Sequence, residues 1–496
     1  MNPIYYIDFY KVGHIDQYPK GITQIWSNWT PRYSRIQGQN AVVHFGLQYF
    51  LKKVLLEDFQ EYFFGIPCAE IIHDYQTTIR STLGVEHPRT DHIEALWNLR
   101  HLPLDIYSVP EGTSTPINCP SVVITNTHPD FFWLPNYLET MLSAYLWKPS
   151  TSATTAQRYR KIFEKYAKEA GETDLSFVDS QGHDFSMRGM SGIEDAMLSG
   201  LGHLTSFSGT DTIPAILTAN KYYGADLSCG GSVPATEHSV MCAGGQDGEF
   251  DTFRRLIEDV YPTGIVSIVS DTWDLWKVLT DYVPRLAPQI KSRAGKVVIR
   301  PDSGDPVKII CGDKDRPADD PASQGTLQLL AKALGTKPNG TALPLINGAG
   351  AIYGDSITYE RAERILDGIV HDLKLSPYNM VFGIGSYTYQ YVTRDTYGFA
   401  MKATAVRNGH GVIPIFKRPV TDSGHKFSHR GILAVYEAPA EDGTPTYACK
   451  QDATTEDLDN CAFEKVFSNG QLLVDNSFNK IRERVRGGRV PAPVTA

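Results

Sequence analysis

Between about residues 172 and 400 the chain repeats one pattern: an apolar run of strand length, a small polar cluster, then a helix-like segment. The stretches "LSFVDSQGHDFSMRG", "HLTSFSGTDTIPAILTANKYYG", "IVSIVSDTWDLWKVLTDYV", "KVVIRPDSGDP", "AIYGDSITYERAERILDGI" and "MVFGIGSYTYQYV" all follow it. Repeated β-then-α units predict a parallel sheet, because parallel strands need crossover connections. Polar residues gathered where each strand ends resemble the active rim of an α/β barrel. The period alone leaves an open doubly wound sheet equally available. The first 150 residues lack this regularity. Strand-like runs such as "AVVHFGLQYFLKKVLL" and "SVVITNTH" mix there with amphipathic stretches and prolines, which predicts a mixed α/β region. "CGDKDRPADDPASQGTLQ", Cys311 to Gln328, reads as a surface loop, and "GGRVPAPVTA" as a disordered tail.

Composition narrows the class. A chain of 496 residues, 42% hydrophobic and 21% charged, fits a globular protein of two or three domains. The formal net charge of -9 argues against wholesale binding of nucleic acid or anionic membrane, so an anionic substrate would need locally gathered cations. Seven scattered cysteines without a CxxC pair fit a reducing compartment. The start lacks a basic segment followed by a long apolar run, and no window approaches a membrane span. A cytoplasmic protein is expected.

Each candidate motif has a plain explanation beside a chemical one. In "VVIRPDSGDP", Arg300, Asp302 and Ser303 form either a capped strand-ending turn or an arginine fork for phosphate beside a carboxylate for ribose or metal. "AIYGDS" (Gly354, Asp355) and "FGIGSY" (Gly383, Gly385, Ser386) are tight turns or places where backbone N–H groups approach a phosphate. "GIGS" is not GxGxxG and no ribose-reading acid follows, so a dinucleotide fold is poorly supported. Asp211 in "GTDT" reads first as a helix N-cap. Phe185 and Arg188 in "HDFSMRG" follow a strand, where an aromatic is more often core than platform. Glu237 and His238 in "SVPATEHS" are either a capped helix start with a packed imidazole or a reactive histidine. Arg394, Lys402, Lys417 and Lys426 are, one by one, ordinary surface cations.

Together these motifs stop looking independent. The order "DFYKVGHIDQYP … HDFSMRG … GTDT … SVPATEHS … VSDTWD … IRPDSG … YGDS … FGIGS … TRD" resembles the nicotinamide phosphoribosyltransferases, within the type II phosphoribosyltransferases. The resemblance runs from Asp8 to about Val485. It implies a TIM-like α/β barrel, expected at 166–399, and a second mixed α+β domain built from both chain ends, 1–165 plus 400–485, with 486–496 as tail. It also implies a homodimer with shared active sites, and formation of nicotinamide mononucleotide and pyrophosphate from nicotinamide and phosphoribosyl pyrophosphate, with magnesium.

The resemblance further assigns roles. Arg300, Asp302, Glu237 and His238 are expected in catalysis, with Asp271 and Asp302 near the metal. Phe185 stacks on the pyridine ring, Tyr10 of the partner subunit closes its other face, Arg188 sits at its edge, and Asp211 meets the carboxamide. Asp8, Ser232, Ser267, Gly354, Asp355, Gly385 and Ser386 match positions that hold phosphoribosyl pyrophosphate or the mononucleotide. Arg32, Arg394, Lys402, Lys417 and Lys426 match cations lent across the dimer interface. The histidine matching His238 is phosphorylated by ATP in the family, which makes ATP a co-substrate. Two features depart from the pattern: Tyr387 replaces a glycine in the phosphate loop, and the loop "DKDRPADDPASQG" has no counterpart. The acidic pair in that loop superficially matches open-sheet phosphoribosyltransferases, but it does not follow a buried apolar strand and is set aside. The rival readings are a nicotinate phosphoribosyltransferase, a non-catalytic nucleotide-binding protein and an unrelated sugar-phosphate barrel enzyme.

Overall fold

The computed structural model describes residues 1–421, 427–439 and 445–487. Lys426 and the expected tail from 488 onward lie outside the described residues. The chain divides into two compact units, one containing Met1–Thr154, Thr218–Ala225 and the part from Val392, the other Thr155–Leu217 and Asp226–Tyr391.

The second unit is built on six short parallel strands: β1 Gly182–Asp184, β2 Gly209–Thr210, β3 Gly264–Val269, β4 Gly295–Arg300, β5 Ala349–Tyr353 and β6 Met380–Ile384. Their order is β2-β1-β6-β5-β4-β3, with every neighbour parallel. The outer strands are joined by the segment Gly231–Thr236. Gly231 bridges Gly209, Ala235 bridges Ser267, and the N–H groups of Thr210 and Ser267 donate to the carbonyls of Gly231 and Pro234 at 2.9 Å each. This bridging segment rules out the open doubly wound sheet that the hydrophobic period had left available. Helices follow the strands, as in Ile193–Leu204, Ile213–Tyr223 and Tyr359–Asp367. Alternation along β4 sends Val297 and Ile299 into the buried core while Arg300 ends on the opposite face. Phe163 stacks on Phe382 at 4.9 Å and meets Phe207 at 5.6 Å within that core.

The first unit carries a seven-stranded sheet in the order Gly411–Pro414, Phe399–Asn408, Gln24–Pro31, Val122–Asn126, Leu104–Ser108, Glu464–Ser468, Gln471–Leu472. The printed pairings are antiparallel, and both chain ends supply strands. Gln24–Pro31 is buried along nearly its whole length, with Trp29 stacked on Phe399 at 5.1 Å.

One sequence expectation fails in this unit. Of "AVVHFGLQYFLKKVLL", only Ala41–Val43 is strand, and from Leu47 to Phe64 the backbone is almost wholly helical. Gly46 turns the chain with φ +100°, and the buried Glu111 carboxylate receives its N–H at 2.5 Å where the helix starts. A long-range cap decided what an apolar run could not. Burial pushes the Glu111 carboxyl up to about 7, against the lowering effect of these backbone donors. A raised carboxyl value favours the folded state while the group is protonated, so this contribution is lost as pH rises from about 4.5 through 7. Glu111→Gln is expected to remove that loss, a difference of about 3 kcal/mol between pH 5 and pH 8. Denaturant unfolding of both proteins at both pH values checks it, and parallel pH dependences would refute it.

Candidate active site at the barrel rim

The barrel unit delivers its polar residues where strands end, as the fold requires of a functional rim. Phe185 and Arg188 follow β1, Asp211 follows β2, Asp271 follows β3, Arg300 and Asp302 close β4, Gly354 and Asp355 follow β5, and Gly385 and Ser386 follow β6. Phe185, Arg188, Asp211, Arg300, Asp302, Gly354 and Asp355 line a single cavity of about 650 Å³.

Phe185 is fixed by its N–H, which donates to the Ile384 carbonyl at 3.0 Å. The Arg300 guanidinium lies 5.2 Å from the ring centroid, within cation–π range. Gly354 and Gly383 serve this ring: a Cβ at Gly354 would stand 2.8 Å from it, and one at Gly383 would run into both the ring and Gly354. Their lack of side chains therefore seats an aromatic platform. At Gly385 a Cβ would meet nothing nearer than 3.8 Å, so its backbone is open to close approach. Ser386 begins a single helical turn, Ser386–Tyr389, and the Tyr387 ring projects outward to stack on Tyr391 at 5.7 Å.

Asp211 does not cap the helix that follows it. Its Oδ1 accepts from Ser232 Oγ at 2.6 Å and from His183 Nε2 at 2.9 Å. Burial would raise the carboxyl, but hydrogen bonds from His183 and Ser232 and the Arg300 charge hold it below the ordinary range. Ser232, expected beside phosphate, is thus tied to the Asp211 carboxylate.

Arg300 Nη2 is 3.7 Å from Asp302 Oδ2, and its Nε is buried without a hydrogen-bond partner. Asp271 Oδ2 accepts from the Asp302 N–H at 2.8 Å and from Ser303 Oγ at 2.7 Å. Its Oδ1 is buried and orphaned. Among the described residues no group of three or more His, Cys, Asp or Glu is placed to hold a metal. An orphaned carboxylate oxygen beside Asp302 fits a hard cation that takes one or two carboxylates and draws its other ligands from substrate phosphates. Ser267 lies within β3, with its hydroxyl buried and unpartnered.

His238 is exposed, at the first position of the helix His238–Ala243. Its Nδ1 lies 3.1 Å from Thr272 Oγ1, one residue past Asp271. Glu237 makes no side-chain cap and accepts instead from the Ser239 hydroxyl. The packed imidazole and the capped start are both excluded.

Six predicted residues belong to the other unit. Asp8 accepts from Thr140 Oγ1 at 2.8 Å, Tyr10 is exposed beside His14, and Lys402 approaches Glu139 at 3.5 Å. Arg394 pairs with Asp395 at 3.3 Å. Arg32 and Lys417 line a cavity of about 460 Å³ with Arg418, His429, Arg430, Phe416 and Phe427, and no acidic residue is among its described lining. Arg32, Lys417, Arg418 and Arg430 thus gather four cations around one cavity of this unit. Another cavity in the barrel unit, about 560 Å³, is lined partly by the 311–315 loop. Several of its charges pair, Lys308 with Asp313 and Asp315 at 3.0 Å and Lys314 with Asp372 at 2.8 Å.

Two residues of the site escaped the sequence reading. The fully buried Asp184 accepts from Ser186 Oγ at 2.6 Å and Thr212 Oγ1 at 2.8 Å, tying the loops that carry Phe185 and Asp211. His183 binds Asp211 directly. The signal was present in "HDF": His183 and Asp184 close β1 and Phe185 directly follows it, so all three stand at one strand end.

Residues 180–469 match the nicotinate phosphoribosyltransferase family, and residues 2–59 match the nicotinamide phosphoribosyltransferase N-terminal domain. The chain belongs to the nicotinate phosphoribosyltransferase family. Its similarity to individual members extends over nearly the full length. It is 47% identical to the nicotinamide phosphoribosyltransferase of Acinetobacter baylyi, covering 98% of this chain and 97% of that one. It is 35% identical to the Mycoplasma pneumoniae protein of that name, covering 86% and 96%. Among solved structures, the nicotinate-nucleotide pyrophosphorylase of Pyrococcus furiosus superposes with TM-score 0.59 at 15% identity, covering 98% and 95%. Human nicotinic acid phosphoribosyltransferase gives 0.58 at 15%, covering 98% and 96%. At that identity the two superpositions bear on the fold, which is the family's.

Proposed function

We propose that the chain transfers the phosphoribosyl group of phosphoribosyl pyrophosphate to nicotinamide, giving nicotinamide mononucleotide and pyrophosphate for NAD salvage. The observation that carries this reading is Asp211, an ionised carboxylate in the cavity of Phe185 and Arg300. A carboxylate only accepts hydrogen bonds, so it favours an amide N–H₂ and repels the carboxylate of nicotinate.

The C–O bond to pyrophosphate at the anomeric carbon breaks and a C–N bond to the pyridine forms, through an oxocarbenium-like state. The electron pair leaves with pyrophosphate, and Arg300 faces that growing charge. The pyridine nitrogen is already a neutral nucleophile, so no general base is needed and positioning dominates. Phe185 stacks on a ring that becomes cationic in the product. Magnesium, when bound, neutralises pyrophosphate charge, and Asp271 and Asp302 are the residues that would hold it.

ATP serves as co-substrate through His238. In the tautomer whose Nδ1–H donates to Thr272 Oγ1, Nε2 of the exposed ring carries the lone pair and can take the γ-phosphoryl group, releasing ADP. Later hydrolysis restores the imidazole. A homodimer is supported by the apolar Ile193, Ile213, Leu217 and Leu227 standing exposed on the barrel unit, and by the exposed Tyr10 on the other. No helix among the described residues is long and apolar enough to cross a membrane, and the scattered cysteines support a cytoplasmic setting.

The test is mononucleotide formation from phosphoribosyl pyrophosphate and magnesium with nicotinamide or nicotinate, each with and without ATP. Turnover of nicotinamide is expected to exceed that of nicotinate and to rise with ATP. Preference for nicotinate would overturn the reading of Asp211. In His238→Ala the ATP stimulation is expected to vanish while basal transfer persists, and undiminished stimulation would remove His238 from the mechanism.

A further inference from the structure

The base-recognition carboxylate has two oxygens in different circumstances. Asp211 Oδ1 takes both chain donors, Ser232 Oγ at 2.6 Å and His183 Nε2 at 2.9 Å. Oδ2 has no hydrogen-bond partner among the described residues, although Asp211 lines the cavity. His183 is 8% exposed, and its imidazole is wedged in place. On one side the ring meets Phe185, with centroids 4.8 Å apart and planes tilted by 55°. Gly209 also abuts the ring, where an added Cβ would come within 2.8 Å of Nδ1. One imidazole therefore touches both the aromatic platform and the carboxylate. Because Asp211 can only accept, Nε2 must carry the proton.

We propose that His183 is the positioning residue for base selectivity: with Ser232 it holds Asp211 through Oδ1, so that Oδ2 stays available to accept the carboxamide N–H of the base. This rests on the assignment of nicotinamide as substrate. It extends that assignment by placing the discrimination in a three-residue unit, β1 supplying His183, the β2 end Asp211 and the bridging segment Ser232. An unheld carboxylate would rotate and spread its acceptor capacity over water and Ser232. The base would then lose a fixed acceptor, and a carboxylate-bearing base would lose a fixed repulsion. Other charges near Asp211 are Arg300 from β4 and, around the same cavity, Asp184, Arg188, Asp302 and Asp355. They remain when His183 is replaced.

The experiment compares wild type, His183→Leu, His183→Gln and Ser232→Ala, measuring kcat and KM for nicotinamide, nicotinate and phosphoribosyl pyrophosphate across pH. His183→Leu is expected to raise KM for nicotinamide about tenfold or more, the cost of one hydrogen bond to a charged group. KM for phosphoribosyl pyrophosphate should stay within about twofold, and preference for nicotinamide over nicotinate should shrink by a similar tenfold. Removing a donor that favours ionised Asp211 should also shift the acid limb of kcat/KM for nicotinamide to higher pH. His183→Gln, which keeps an N–H donor, should recover most of the selectivity. Parallel increases in both KM values would reduce His183 to a packing role and overturn the proposal, as would unchanged selectivity. If His183→Leu does not fold, the exposed Ser232→Ala and the conservative His183→Gln decide. Selectivity must then fall in Ser232→Ala and hold in His183→Gln, or the proposal fails. Wild type that does not use nicotinamide at all would instead strike at the substrate assignment, a result visible before any variant is made.

Discussion

Arg300→Ala is expected to lower kcat/KM by about 10³-fold, mostly through kcat. Removing one preorganised donor aimed at developing charge costs on the order of 10²–10³ in rate, and Arg300 has two further functions in the same cavity. Its guanidinium lies over the Phe185 face at 5.2 Å, and it lowers the Asp211 carboxyl through space. The buried Nε has no partner in the chain, so the side chain is held with a donor unspent. Such a group costs stability unless a ligand satisfies it, which is the arrangement expected of a phosphate or pyrophosphate fork. Arg300→Lys should recover little, because a lysine keeps the charge but loses the planar pair of donors. Steady-state rates with saturating nicotinamide and varied phosphoribosyl pyrophosphate decide the matter. A loss below tenfold in Arg300→Ala would exclude a transition-state role.

The barrel and its rim were legible because each strand carries its own signal: a short apolar run closed by polar residues, repeated in order. What brings the ring together was less legible. The segment Gly231–Thr236 bridges the two outer strands through isolated contacts, and nothing in "GSVPAT" reads as a strand. Backbone geometry set by neighbours leaves no mark on local sequence. The same holds for the helix beginning at Leu47, whose start depends on a carboxylate 65 residues away in sequence.

At the site, residue types were legible and pairings were not. Arg300, Asp302, Asp211 and Phe185 stand out as strand-end residues, and the structure gathers them around one cavity. That Gly354 and Gly383 would seat the Phe185 ring required knowing that β5 and β6 are neighbours. The family resemblance draws Ser232 toward phosphate, and only the approach of the bridging segment to β2 places its hydroxyl on Asp211. His183 was overlooked because a histidine in a buried strand is usually packing, and here it packs and binds at once. For His238 the structure reverses the plain reading, since the ring is exposed and touches Thr272 in the loop of Asp271.

Asp211→Asn is expected to reverse the strongest selectivity in the site. The wild-type carboxyl is held below its ordinary range, so it is ionised throughout the neutral range and loses its charge only as pH falls through that lowered value. An ionised acceptor for an amide N–H₂ is worth roughly 1.5–3 kcal/mol, or about 10- to 150-fold in kcat/KM. Against nicotinate the same charge should act as repulsion in a partly desolvated pocket, which would multiply the preference. Asparagine keeps the shape, removes the repulsion and can turn an N–H₂ toward a carboxylate. kcat/KM for nicotinamide should therefore fall by about 10²-fold while that for nicotinate rises, and the nicotinamide acid limb assigned to Asp211 should disappear. Competition between the two bases at a fixed phosphoribosyl pyrophosphate concentration, from pH 8 down through the acid range below the ordinary carboxyl value, reads all three effects together. An Asn variant that kept the wild-type ratio of the two bases would show that the cavity selects by shape, and Phe185 with its glycine seat would then carry the discrimination now placed on charge.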